Sequence, residues 1–183
     1  MKNIFFTISI LISVFASAQV AIGKPELSKL ADGTTPNPNI SLEFYDGADN
    51  ARGIILPWVT STAAVTGAVN GTLVYNTADR KVYVKYASGW RDLSVDNTGT
   101  VTTTLQDSLT DQDTAKVLIG GDPATDTTPG ILVLADTNKA MVLPKVASPH
   151  LNIVNPSPGM MVYDTTKKQL AVFNGTVWSF WKP

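Results

Sequence analysis

The chain has 183 residues, a formal net charge of −1, no cysteine and a single histidine. The absence of cysteine excludes a disulfide framework and a cysteine nucleophile. One histidine without cysteine argues against a zinc site, and the near-neutral charge argues against nucleic-acid binding through a basic surface.

The N-terminal segment predicts export. Lys2 is followed by an apolar stretch from Ile4 to Phe15 and by the small residues of ASA (16–18), which is the pattern of a secretory signal peptide. The stretch is shorter than the ~20 residues that span a bilayer. We therefore expect a signal peptide at 1–18, no transmembrane span after cleavage, and a location outside the cell or on the outer-membrane surface, with the periplasm as the alternative.

The rest of the chain contains one pattern twice. GTLVYNTADRKVYVKYASGWRDL (71–93) resembles the C-terminal stretch from 159 onward, so that Tyr75 matches Tyr163 and Trp90 matches Trp178. Upstream, LP (56–57) matches LP (143–144). Internal repetition of this length indicates tandem structural units. We assign unit one to 19–95 and unit two to 117–183, joined by a Thr- and Asp-rich linker or stalk at 96–116.

Each unit reads as β structure. The stretch Lys81–Tyr86 alternates apolar and polar residues, which is typical of a half-buried strand, and TLVY (72–75) and MMVY (160–163) are apolar runs typical of covered strands. Asn174-Gly175 predicts a hairpin with a type I′ turn. The predicted fold class is therefore mainly β, with two tandem small β-hairpin or β-meander units.

The connecting segments are less regular. Residues 60–65 could form one or two helical turns, whereas Pro149 favours a loop at 147–151. The linker could be a short helix, a β-ribbon or a flexible segment, and we favour an ordered stalk. Units of this size without disulfides or metal are hard to stabilise alone, so we expect the units to pack together or several chains to share one core.

The order of these motifs resembles a family of exported repeat proteins in Bacteroidetes-type bacteria, similar to phage tail-fibre and surface-fibre modules. The matching stretches are AIG (21–23), TPNP (35–38), GIILP (53–57), GTLVYNT (71–77) and Trp90 in unit one, and IG (119–120), MVLP (141–144), GMMVYDT (159–165) and FNGTVW (173–178) in unit two. The family usually has a basic residue after Leu-Pro; Lys145 keeps it, but Trp58 replaces it in unit one. The resemblance implies a parallel homotrimer and a role in adhesion, gliding motility or type 9 secretion assemblies.

Catalytic and metal-binding patterns are weak. His150, in a variable loop, has no local partner that would orient it for catalysis. The nearest paired carboxylates, Asp111 and Asp113, lie in a polar linker. Calcium binding stays an alternative, because these two and Asp107, Asp122 and Asp126 supply oxygen ligands, but they lack the spacing of an EF-hand loop and a solvated acidic loop is favoured. We predict no enzyme activity, no metal and no cofactor.

The aromatic residues are the better candidates for function. Tyr75, Trp90, Tyr163 and Trp178 occupy matched positions in the repeat and are predicted to be structural. Trp58, Phe180 and Trp181 depart from the repeat, so we predict that they contact a protein partner or a glycan.

The leading hypothesis is a non-enzymatic surface or fibre module, in adhesion or as an accessory subunit of a cell-surface assembly. One alternative is a soluble carbohydrate-binding protein that uses exposed aromatic residues. The other is a periplasmic or outer-membrane-associated structural subunit. We expect a homo-oligomer, with a trimer favoured.

Overall fold

The computed structural model describes residues 19–110, 112 and 115–182; the predicted signal peptide and the candidate carboxylates Asp111 and Asp113 lie outside these residues. Unit one contains β1 (Val20–Ile22), β2 (Ile40–Phe44), β3 (Ile54–Ile55), β4 (Trp58–Val59), β5 (Leu73–Asn76), β6 (Lys81–Tyr86) and β7 (Gly89–Asp92). Unit two contains β8 (Val117–Ile119), β9 (Leu132–Leu134), β10 (Ala140–Val142), β11 (Lys145–Val146), β12 (Met160–Asp164), β13 (Gln169–Phe173) and β14 (Trp178–Trp181). The prediction of a mainly β chain built from two hairpin units is confirmed.

The two units have matching elements in the same order. Each ends in a three-stranded antiparallel meander, β5-β6-β7 in unit one and β12-β13-β14 in unit two, with β4 or β11 added in parallel beside its first strand. The register is also the same, because Trp58 pairs with Tyr75 and the matched Lys145 pairs with Tyr163, both in parallel. The repeat seen in the sequence is therefore a repeat of pairing geometry.

Two short strands cross from one unit to the other. Strand β10 of unit two lies parallel to β2 and completes the three-stranded sheet β1-β2-β10. Strand β3 of unit one lies antiparallel to β12, with Ile55 beside Met160 and Ile54 beside Met161. The crossing strands occupy matched positions, each immediately before the Leu-Pro step of its unit.

The two units share one core, in agreement with the expectation that they pack together. One cluster of buried side chains draws on both meanders: Leu56, Tyr75, Val82, Leu93, Met161 and Val172. A second cluster lies within unit two: Val146, Ile153, Met160, Val162, Ala171 and Phe173. Burial of these side chains holds the two units together through the hydrophobic effect.

The loops correct two local predictions. Pro149 begins a one-turn helix, α1 (Pro149–Asn152), because proline is well suited to the first helical position. The matched segment of unit one forms a 3₁₀ turn at Thr62–Ala64. The β13–β14 turn is not type I′, since Gly175 has a positive φ of 103° and Asn174 does not. Asn174 instead accepts hydrogen bonds at Oδ1 from the N–H groups of Thr176 and Val177.

The linker begins in contact with unit two. The Asn174 side chain donates to Asp96 over 3.0 Å, and the Thr176 hydroxyl donates to the Thr98 carbonyl over 2.8 Å. Further along, the N–H of Asp107 donates to the Thr103 carbonyl at 3.0 Å within a run of turns. Where the structure describes the linker, it shows turns rather than a helix or a β-ribbon.

No helix in the described part of the chain has the length and apolar character needed to cross a membrane.

Candidate interface surfaces

Tyr75 lies at the centre of the contact between the units. Its side chain has no exposed surface, and its hydroxyl donates to the Asn174 carbonyl over 2.7 Å. Burial raises the pKa of Tyr75 to about 12. Unit two approaches through Gly159, where a Cβ atom would lie only 2.8 Å from the Cβ of Tyr75. The lack of a side chain at Gly159 therefore allows the two units to meet.

Trp58 also contributes to the contact between the units. Its indole N–H donates to the Pro158 carbonyl over 3.0 Å, and its ring centroid lies 6.2 Å from that of Tyr75. The sequence suggested Trp58 for a partner or a glycan because it departs from the repeat. The structure shows an internal contact for Trp58, through which β4 reaches unit two, and the partner or glycan role stays a prediction.

Trp181 and Phe180 point in opposite directions from β14. The Trp181 indole N–H donates to the Leu93 carbonyl over 2.7 Å, and the Arg91 guanidinium lies 4.9 Å from its ring centroid. Phe180 is 37% exposed and stands edge-on to the His150 ring. Trp181 thus packs on the shared core, and Phe180 is the more exposed of the two.

The matched aromatic residues have different surroundings. Tyr163, the counterpart of Tyr75, is half-buried rather than enclosed. Trp178 packs on Phe173 with ring centroids 5.3 Å apart, whereas Trp90 is half-buried on β7 beside Lys85. These matched residues therefore occupy equivalent backbone positions, but their side chains pack against different neighbours.

A buried ionic cluster joins unit one to unit two. Glu43 is fully buried, accepts hydrogen bonds from the N–H and the hydroxyl of Ser28 at 2.7 and 2.6 Å, and pairs with Lys24 at 3.1 Å. Asp46 pairs with Lys24 at 3.1 Å and with Lys145 of unit two at 3.0 Å. Burial acts to raise the pKa of Glu43, but the hydrogen bonds from Ser28 and Lys24 outweigh it and lower that pKa.

The shared core is open on one side. A groove of about 390 Å³ there is lined almost wholly by apolar side chains from both units: Leu73, Val84, Tyr86, Leu93, Met141, Leu143, Met161, Leu170 and Trp181. A second groove of about 570 Å³ lies between β3 and β9. Such surfaces can accept the apolar surface of another molecule, and they carry no nucleophile with an oriented base.

The described residues contain no group of three or more side chains placed to hold a metal ion. The sequence did not point to the grooves, because their walls come from segments far apart in the chain. Of the matched glycine pair, Gly71 and Gly159, only Gly71 lines a groove, the second one.

Comparison with known proteins finds one similarity, which lies in unit two. The family model described as "Phage tail like trimerisation region" matches residues 122–182, which is less than half of the chain. Neither the curated proteins nor the solved structures contain a match. Unit two is therefore similar to a phage-tail-fibre-like trimerisation module, and the similarity supports a homo-oligomer. The matched residues include the unit-two walls of both grooves.

Proposed function

We propose that the chain is a non-enzymatic structural module that assembles as a homotrimer within an exported, fibre-like structure. The observation that carries the proposal is the match of residues 122–182 to a trimerisation region, since this segment supplies one wall of each apolar groove. Exposed apolar surfaces of this kind on soluble proteins mark interaction sites. In a trimer, neighbouring chains cover them.

The finer assignment rests on the sequence. The predicted signal peptide and the resemblance to exported repeat proteins of Bacteroidetes-type bacteria support a position on the outer surface of the cell. There the trimer serves in adhesion, or as an accessory subunit of a gliding or type 9 secretion assembly. The exposed Phe180 beside His150 is the aromatic position that we propose for contact with a protein partner.

Carbohydrate binding has less support. Trp58 and Trp181 both donate their indole N–H groups to backbone carbonyls of this chain and pack on its core. Stacking on a sugar needs a free aromatic face, and of the three predicted contact residues only Phe180 is exposed, whereas Trp58 and Trp181 are half-buried. Loss of glycan-array binding in Phe180→Ala, with Leu151→Ala as an exposed control, would be required for this alternative.

The oligomeric state tests the proposal first. We would express the full chain with its N-terminal segment, so that export can process it, and measure its mass by size-exclusion chromatography with light scattering. The proposal predicts three times the mass of one chain across a range of concentrations. A stable monomer would rule out the trimeric module and favour a packed two-unit binding protein.

Location is tested separately. Antibody labelling of intact cells should detect the chain without permeabilisation if it lies on the outer surface. Signal that requires permeabilisation would place it in the periplasm and contradict the surface assignment, while leaving the trimer open to its own test.

A further inference from the structure

Because the units are repeats, each contact that unit one makes with unit two has an equivalent that unit two could make with unit one, and the two can be compared. Among the contacts between the units, the one at the start of β12 has two features. Strand β3 pairs with the start of β12, where the N–H of Leu56 also donates to the Gly159 carbonyl over 3.1 Å. In addition, Tyr75 packs on Gly159. If the contact were twofold symmetric, unit two would contact unit one in the same way.

The counterpart contact is not made within the chain. By the repeat, β10 should pair with the start of β5, with Val142 beside Thr72 and Met141 beside Leu73. Among the described residues, β10 instead pairs with β2 alone, and this edge of β5 carries no strand beside Leu73. A Cβ atom at Gly71, the counterpart of Gly159, would meet no atom within 4 Å.

The two glycines are nevertheless equivalent in the backbone. Gly71 has a φ of 91° and donates to the Lys85 carbonyl, and Gly159 has a φ of 78° and donates to the matched Phe173 carbonyl. Gly71 thus has the backbone conformation that lets a tyrosine pack on Gly159, but no side chain packs on Gly71 within the described part of the chain. The contact between the units is therefore heterologous, because each unit uses a different surface.

Among the described residues, this heterologous contact leaves two complementary strand edges without a partner strand, beside Leu73 and Met141, whose side chains already pack on the shared core. We define the donor surface as Met141, Val142 and Tyr163 of unit two, and the acceptor surface as Gly71, Thr72 and Leu73 of unit one. Heterologous contacts between identical chains either close into a ring or continue as a filament. Unpaired strand edges such as those of β10 and β5 are also natural sites for pairing between chains.

We propose that the donor surface of one chain binds the acceptor surface of the next, with β10 pairing antiparallel to β5 and Tyr163 packing on Gly71, so that three chains close a ring. The inference rests on the proposed homotrimer and adds its geometry. Leu73 and Met141 line the open groove, so the exchange covers apolar surface as well as strand edges. Each chain thereby completes the core of its neighbour.

Cysteine cross-linking tests the register. The hydrogen bond from Leu56 to Gly159 makes Ile55 and Met160 a non-hydrogen-bonded pair, whose Cα atoms lie about 4.5 Å apart in antiparallel sheets. That spacing suits a disulfide, and Thr72 and Val142 are the counterpart pair. The chain has no cysteine of its own, so Thr72→Cys/Val142→Cys gives an unambiguous readout after mild oxidation.

The inference predicts covalent dimers and trimers on a non-reducing gel, which reducing agent converts to monomers. It also predicts a heterodimer when the two single variants, carrying different tags, are refolded together from denaturant. A disulfide within one chain, seen as a faster monomer band, would overturn the inference because the chain would then close its own contact. Thr72→Cys/Val154→Cys is the control, since Val154 is exposed and far from the proposed register.

Light scattering of the reduced variants separates this inference from the proposed function. Reduced variants that are trimeric but fail to cross-link would overturn the strand exchange and leave the trimeric module standing. A monomeric wild-type chain would overturn both. Far-ultraviolet circular dichroism that matches the wild type verifies that each variant is folded before it is oxidised.

Discussion

Tyr75 and Tyr163 show how one residue type takes two roles within a repeat. Tyr75 is enclosed by both units and donates to a carbonyl of unit two, whereas Tyr163 stays half-buried at the same backbone position. The difference arises because Tyr75 meets Gly159 inside the chain, and the surface that Tyr163 would meet belongs to the acceptor surface. Comparing the burial of matched residues thus shows which of the two equivalent contacts the chain makes within itself.

The Tyr75 hydroxyl contributes to stability. Tyr75→Phe removes a buried donor and leaves the Asn174 carbonyl without it, which costs about 1–3 kcal/mol. We expect that loss in the free energy of unfolding measured with denaturant. Tyr45→Phe is the control: Tyr45 is 36% exposed and its hydroxyl donates to Asp49 at the surface, so an equal loss in both variants would contradict the role of the buried bond.

Gly159 tests the close approach of the units. Gly159→Ala meets two penalties: a positive φ, costing about 1–2 kcal/mol for a residue with a Cβ atom, and a clash with Tyr75. Gly33→Ala has a φ of 70° and open space around it, so it carries the first penalty alone. We expect the thermal midpoint to fall further for Gly159→Ala; equal shifts would show that the contact with Tyr75 is loose.

At the scale of elements, the hairpins could be predicted from local pattern. The alternation in Lys81–Tyr86 and the apolar run at 160–163 specify strands because the faces of a sheet differ in burial. The exchange of β3 and β10 could not be predicted. Each is only two or three residues long, and its partner lies in the other unit, so nothing in the neighbouring sequence encodes the pairing.

The candidate site was predicted in part. The departure of Trp58 from the repeat indicated a contact specific to that position, but not whether the contact was internal or with another molecule. That choice depends on the path of β4 beside unit two, which is a tertiary feature. Similarly, Asn174 marked a hairpin, but its side chain accepts from two N–H groups and selects a turn other than type I′.

The ionic cluster around β2 should make stability depend on acid pH. Burial tends to raise the pKa of Glu43 and of Asp46, but hydrogen bonds and opposite charges, chiefly from Ser28 for Glu43 and from Lys145 for Asp46, lower both. A carboxyl group whose pKa is lowered by folding adds stability above its unfolded pKa, 4.5 for Glu43 and 3.8 for Asp46. That stability is lost as the pH falls through the lower, folded values.

We therefore expect the free energy of unfolding to decrease as the pH is lowered from 5 towards about 2. Denaturant titrations at several pH values would measure it.

Glu43→Gln should lose about 3 kcal/mol at pH 7, because Lys24 keeps a buried charge with one partner fewer, and should flatten the acid dependence. Glu26→Gln removes an exposed pair with Lys29 and should change stability by about 0.5 kcal/mol or less. Parallel pH profiles for wild type and Glu43→Gln would contradict the assignment.

At the scale of the whole molecule, the chain consists of two repeats joined by a heterologous contact, in which each unit uses a different surface. The apolar grooves and the free edges of β5 and β10 lie where that contact would repeat. A chain with complementary free surfaces gains stability by assembling, since each neighbour buries apolar surface and pairs an edge. This is the physical basis for a fibre-like trimer that needs no disulfide or metal.

The central claim is that the acceptor surface holds the trimer together, and native mass spectrometry of Gly71→Asn tests it most directly. Asparagine tolerates a positive φ, so the variant should fold, while its side chain blocks the approach of Tyr163. Gly33→Asn is the matched control, exposed and with a similar φ. The account predicts trimers for the wild type and for Gly33→Asn, and folded monomers for Gly71→Asn. A trimeric Gly71→Asn, or a monomeric wild type, would contradict it.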